Sequence, residues 1–118
     1  MKQTMRAAVV LILLSFTMKD DIVGRWQTKP SANGNVTGAV FKADKSFEGY
    51  VNKKPFVSGK FEFENNILSF TDNGCNGAKA VYKTEFFSNG DSLRFVAIED
   101  SCAERKTGMS KLILGRVK

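Results

Sequence analysis

The chain of 118 residues contains no histidine. That absence removes the commonest general base, the commonest transition-metal ligand and the side chain that titrates near neutral pH. Catalysis by Ser-His-Asp or Cys-His pairs is thereby excluded. Cysteine is scarce too: Cys75 and Cys102 are the only two, too few ligands for a zinc site without histidine. No catalytic residue, metal or cofactor is expected. Trp26 is the single tryptophan, and two tyrosines stand beside ten phenylalanines, so the interior should be apolar with few polar handles. The uninterrupted apolar run from Ala7 to Leu14 is far shorter than the roughly 20 residues that span a bilayer, so no transmembrane anchor is expected. No segment in the middle of the chain shows helical periodicity.

Acidic residues are the minority, 12 against 18 lysines and arginines, which gives a formal charge of +6. The basic residues are scattered between apolar runs and most aromatics fall on the apolar side, so a solvated basic surface is expected and nucleic-acid binding is not.

Residues 1–18 place Lys2 and Arg6 ahead of the apolar run, followed by Ser15, Phe16 and Thr17. Charge followed by a short apolar core is the order of a secretory signal, and it points to export to a periplasmic or extracellular compartment. No A-x-A-like pair precedes Met18, which leaves a retained N-terminal helix plugging one end of the fold as the alternative. The cysteines agree with export, since an even number in an exported chain reads as a disulfide. Cys75 and Cys102 flank two expected strands, Lys79 to Phe87 and Asp91 to Ile98, whose hairpin would bring them together. Two buried free thiols are the alternative.

Eight short alternating runs fill the chain after Asp21, so residues 22–118 are expected to form one all-β domain, an eight-stranded antiparallel up-and-down barrel. The runs are Val23 to Thr28, Asn35 to Lys42, Ser46 to Asn52, Phe56 to Glu64, Ile67 to Thr71, the two hairpin strands above, and Ser110 to Val117. The clearest alternation sets Val57, Gly59, Phe61 and Phe63 against Lys60, Glu62 and Glu64. Asn65-Asn66 and Asn89-Gly90 are the strongest turn signals, and Lys53-Lys54-Pro55 reads as a break. Glu99 to Lys106 reads as a polar loop. Mid-strand glycines at Gly24, Gly38, Gly49 and Gly59 suit a small sheet that bends to close on itself.

Gly24-Arg25-Trp26 resembles the G-x-W signature of the lipocalin and calycin group. The resemblance implies that Trp26 closes one barrel end and that a basic residue of the last strand, here Arg116, packs over its ring. A longer stretch, Lys60 to Asp72 with Cys75, Asn89 to Phe95 and Asp100-Ser101-Cys102-Ala103-Glu104-Arg105, looks like small bacterial exported lipocalin-like domains with a D-x-C-x-x-R element. Phe61 and Asn65 depart from the tyrosine and the aspartate or glycine usual there. Gly74-Cys75-Asn76 with a later cysteine also resembles the META domain of bacterial heat-shock and secreted proteins.

These observations favour a non-catalytic, lipocalin-like barrel that binds a small hydrophobic or amphipathic ligand among Phe41, Phe47, Phe61, Phe63, Phe70, Tyr82, Phe86 and Phe95. So many phenylalanines on short strands imply a small or filled interior. The alternative is an envelope interaction, stress or inhibitor-type module with a filled barrel. It would meet a protein partner through Lys53, Lys54 and Phe56 in one loop and Arg105, Lys106 and Lys111 towards the other end. Asp72, Glu85, Asp91, Glu99, Asp100 and Glu104 show no spacing that demands acid/base chemistry, and Asp100 with Arg105 is expected to form an ion pair that fixes a loop beside the disulfide.

Overall fold

Residues 21–118 are described by a computed structural model, and the expected signal or helix at residues 1–18 lies outside them. The strands are β1 (Gly24–Gln27), β2 (Thr37–Phe41), β3 (Ser46–Val51), β4 (Lys54–Glu64), β5 (Ile67–Asp72), β6 (Ala80–Phe87), β7 (Ser92–Asp100) and β8 (Ile113–Arg116). Each pairs antiparallel with its sequence neighbour, and β1 also pairs with β8, so the eight strands close an up-and-down barrel. Among the described residues, closure gives every strand a partner on both sides over at least part of its length, which limits the free edge that could recruit another chain.

The turns follow from residues that tolerate the left-handed backbone. Asn65 and Asn66 both have positive φ, 54° and 64°, the geometry of a two-residue hairpin turn. Between β6 and β7 the chain turns through Ser88, Asn89 and Gly90, all with positive φ. At Gly59 a glycine is required: a Cβ would collide with the Thr71 carbonyl and lie 2.8 Å from Cα of Asp72 on β5.

Three boundaries differ from expectation. The break after β3 falls at Asn52 and Lys53, with φ of 52° and 70°, so Lys54 and Pro55 belong to β4. Pro55 is tolerated because β5 joins β4 only from Gly59 onward, leaving that flank of the proline without a partner strand. Glu99 and Asp100 extend β7 instead of opening a loop. The stretch after them forms a helix, α1 (Ala103–Lys111), and the eighth strand shortens to Ile113–Arg116. Ala103, Glu104, Arg105, Lys106 and Met109 are good helix formers, and Glu104 in the first turn and Lys111 in the last suit the helix dipole.

Up-and-down topology gives the barrel two distinct ends. The start of β1, the β2–β3, β4–β5 and β6–β7 turns and the end of β8 gather at one. The β1–β2 loop, the β3–β4 turn, the β5–β6 connection with its single 3-10 turn (Cys75–Gly77), and α1 gather at the other.

The first end is sealed. Trp26 is fully buried and donates its indole N–H to the Ile22 carbonyl at 2.8 Å. The Arg116 guanidinium stacks 4.3 Å from the indole centroid and donates to the Asp21 and Gly90 carbonyls. Such a stack contributes about 0.5–2 kcal/mol, and burial of the indole contributes more. Phe86 meets Trp26 at 6.1 Å and Phe63 meets Phe86 at the same distance, which continues the plug inward.

Candidate functional site

Above that plug the interior is not filled. A cavity of about 610 Å³ runs from the middle of the barrel to the end that carries α1. This departs from the small or filled interior that the phenylalanine content implies. The reason lies in the residues between the rings: Ala39, Gly49 and Val57 stand on inward positions where larger side chains would meet. At Gly49 a Cβ would lie 2.6 Å from Val57 and 3.3 Å from the Phe56 ring, so these side chains fold over space a larger residue would take.

Phe41, Phe47, Phe70 and Phe95 line the cavity, joined by Leu68 and Leu114. Phe47 meets Phe41 at 5.8 Å and Phe70 edge-on at 5.5 Å, a preferred aromatic arrangement that holds this wall rigid. Phe61, Phe63, Tyr82 and Phe86 stand outside the cavity wall. Phe61 is buried against Phe41 at 5.1 Å, Tyr82 is buried beside Phe70 and Phe95, and Phe63 and Phe86 belong to the plug. Further apolar lining comes from residues outside that expected set, among them Phe56 and Val57 on β4, and Met109 and Leu112 at α1. Their signal was present but faint. Arg105, Gly108, Met109 and Leu112 recur at helical spacing, yet only two of the four are apolar.

At the mouth the disulfide is formed: Cys75 and Cys102 are bonded across a sequence separation of 27. It joins the 3-10 turn to the residue that precedes α1, across the open end of the β6–β7 hairpin.

Beside it lies a buried charge network. Asp100 accepts from Arg105 through both Nε and Nη2, at 3.0 and 2.9 Å, from the Tyr82 hydroxyl at 2.6 Å and from the Cys102 amide at 3.0 Å. Arg105 also donates to Asp72 at 3.3 Å and to the Ala78 carbonyl at 2.9 Å, with its guanidinium 5.2 Å from the Phe70 centroid. The pair thus joins β7 to α1 and, through Asp72, to β5; it is not confined to a loop. Burial by itself raises the Asp100 pKa, but the hydrogen bonds from Arg105, Tyr82 and Cys102 outweigh it and hold the carboxyl at about 2. Burial and the bond to Asp100 push the Tyr82 phenol well above its ordinary value. Asp100 therefore stays ionised and Tyr82 neutral across the physiological range, and neither is poised for proton transfer.

Arg105 has five N–H donors, and four are engaged by these contacts. Little remains for a ligand. The other charges at the cavity edge are acidic, Asp72 and the exposed Glu104. Lys53, Lys54 and Phe56, expected towards the opposite end from Lys106 and Lys111, surround the same mouth as those two, because the β3–β4 turn and α1 share one end of the barrel. Asp91, Glu85 and Glu99 lie apart from the cavity lining, the first two in surface ion pairs with Arg116, Lys118, Lys83 and Arg94. Among the described residues no helix is long and apolar enough to cross a membrane. No protein-family model matches the chain, and no curated protein does either.

Proposed function

We propose that the protein is a non-catalytic carrier that holds a small hydrophobic or amphipathic molecule inside the barrel, loaded through the end that carries α1. The single observation behind this reading is the apolar cavity of about 610 Å³, open at one end and closed at the other by Trp26 and Arg116. Pockets for small organic ligands run from about 300 to 1,000 Å³ and are mostly apolar with a few polar groups to orient the guest. Here Asp72, Glu104 and the one uncommitted N–H of Arg105 stand at the edge and the rings of Phe41, Phe47, Phe70 and Phe95 stand within. The lipocalin-like resemblance of Gly24-Arg25-Trp26 agrees with this use of the fold. The Cys75–Cys102 bond agrees with an exported, envelope setting, since structural disulfides persist in oxidising compartments.

Titration with a polarity-sensitive naphthylamine dye tests the proposal. Wild-type protein should show saturable enhancement of fluorescence. Ala39→Phe, which places a ring in the cavity, should weaken uptake at least tenfold while the circular dichroism of the barrel is unchanged. Uptake that is not saturable, or that Ala39→Phe leaves intact, would refute the reading.

A further inference from the structure

Ion pairing among the cations of this barrel differs by end, although Arg25 on β1 and Lys60 opposite the start of β3 are also exposed and make no ion pair among the described residues. At the sealed end and on the wall above it, Lys42, Lys45, Lys83, Arg94, Arg116 and Lys118 each make an ion pair with Glu48, Glu62, Glu85 or Asp91. The open end carries six lysines: Lys29 in the β1–β2 loop, Lys53 and Lys54 at the β3–β4 turn, Lys79 ahead of β6, and Lys106 and Lys111 on α1. All six are exposed, and among the described residues none makes an ion pair. Two exposed acids, Glu99 and Glu104, share this end with the six lysines and make no ion pair among the described residues, while Asp72 and Asp100 are committed to Arg105 and buried. Phe56 lies on the same rim, 60% exposed, while it also lines the cavity. One face of its ring folds over Gly49, but most of it lies in water at the doorway of an apolar chamber, among unpaired lysines.

We propose that the open end of the barrel docks on an anionic lipid surface, with Phe56 entering the headgroup region and the lysines meeting the lipid charges. Charge complementarity selects this occupant. The lysines come from four separate chain segments around an opening, which matches a broad plane of negative charge better than one acidic peptide strand. A lysine near an anionic surface contributes about fivefold in partition, so three or four that engage together give a few hundredfold. An apolar side chain at headgroup depth adds to that, and salt weakens the whole because the interaction falls off within a Debye length of about 8 Å. Docking would set the cavity mouth against a reservoir of amphipathic molecules. In that purpose alone it rests on the carrier reading; the contact itself does not.

Co-sedimentation of the full chain with vesicles, no dye present, tests it. Binding should be strong to phosphatidylcholine vesicles that contain phosphatidylserine, weak to phosphatidylcholine alone, and reversed by salt. Lys53→Glu with Lys54→Glu should lower the bound fraction at least tenfold, and Phe56→Ser should lower it severalfold even at low salt. Lys45→Glu at the sealed end should change it little. Circular dichroism confirms that each variant is folded. Three results would overturn the proposal: no dependence on phosphatidylserine, equal loss from the sealed-end variant, or binding that survives the open-end substitutions, as attachment through residues 1–20 would give. Retention on immobilised acidic polypeptide with none on the vesicles would replace the lipid with a protein partner and refute it too. Dye uptake measured without vesicles reports separately on the cavity, so the two readings can fail independently.

Discussion

Asp100 shows how one carboxylate can lock three parts of a small barrel. Its side chain is completely buried and receives four hydrogen bonds, from β6, from α1 and from the turn between β7 and α1. Because its folded pKa of about 2 lies below the ordinary 3.8, the native state binds this proton less readily than the unfolded chain does. The stabilisation is complete above about pH 4 and is lost as pH falls towards 2, by about 2 kcal/mol. Urea denaturation midpoints measured between those limits should fall in wild type and stay flatter in Asp100→Asn. That substitution leaves Arg105 buried with only Asp72 as a charged partner and should destabilise by about 3 kcal/mol at neutral pH. At the opposite end, Arg116→Gln removes the stack on Trp26 and should cost about 1–2 kcal/mol, with a red-shifted indole emission as water reaches the ring. The pairing of Asp100 with Arg105 was legible from their spacing in the chain. The involvement of Tyr82 and Asp72 was not, since they join from sequence distances of 18 and 33 residues.

At the scale of elements, the strands were legible wherever local chemistry and burial agree. Phe61 and Phe63 turn inward between Lys60, Glu62 and Glu64, and Asn65-Asn66 takes the backbone its side chains tolerate. Pro55 misled, because a proline reads as the end of a strand unless one knows that no neighbour claims its missing N–H. Helix α1 was hidden for another reason: it has no fully buried residue, and Met109 with the adjoining Leu112 supplies the only apolar contact to the core from this segment, so its pattern is almost wholly polar. Such a helix owes its place to tertiary ties, namely the disulfide at its first turn and Arg105 within it. Reduction should therefore cost about 3–4 kcal/mol by the loop-entropy argument. Hydrogen exchange should accelerate first in residues 103–111, while β6 and β7 remain protected.

For the whole molecule, the closed ring was legible from eight alternating runs and its plugged end from what the G-x-W resemblance implies for Trp26 and Arg116, whereas the cavity was not. Volume is set by what stands opposite each ring, and the small residues acquire that meaning only when register sets Ala39 opposite Gly49 and Gly49 opposite Val57, with Gly49 beneath the Phe56 ring. A guest that fills this space should raise the stability of the entire barrel. With free ligand at a hundred times its Kd the gain is about 2.7 kcal/mol, which thermal denaturation with and without a bound dye would show as a higher Tm.

A chamber with one doorway also imposes an order of events. A newcomer cannot push the resident out from behind, because Trp26 and Arg116 block that side. Exchange must wait for the occupant to leave, so the rate of displacement should level off at the resident's own escape rate however much competitor is added.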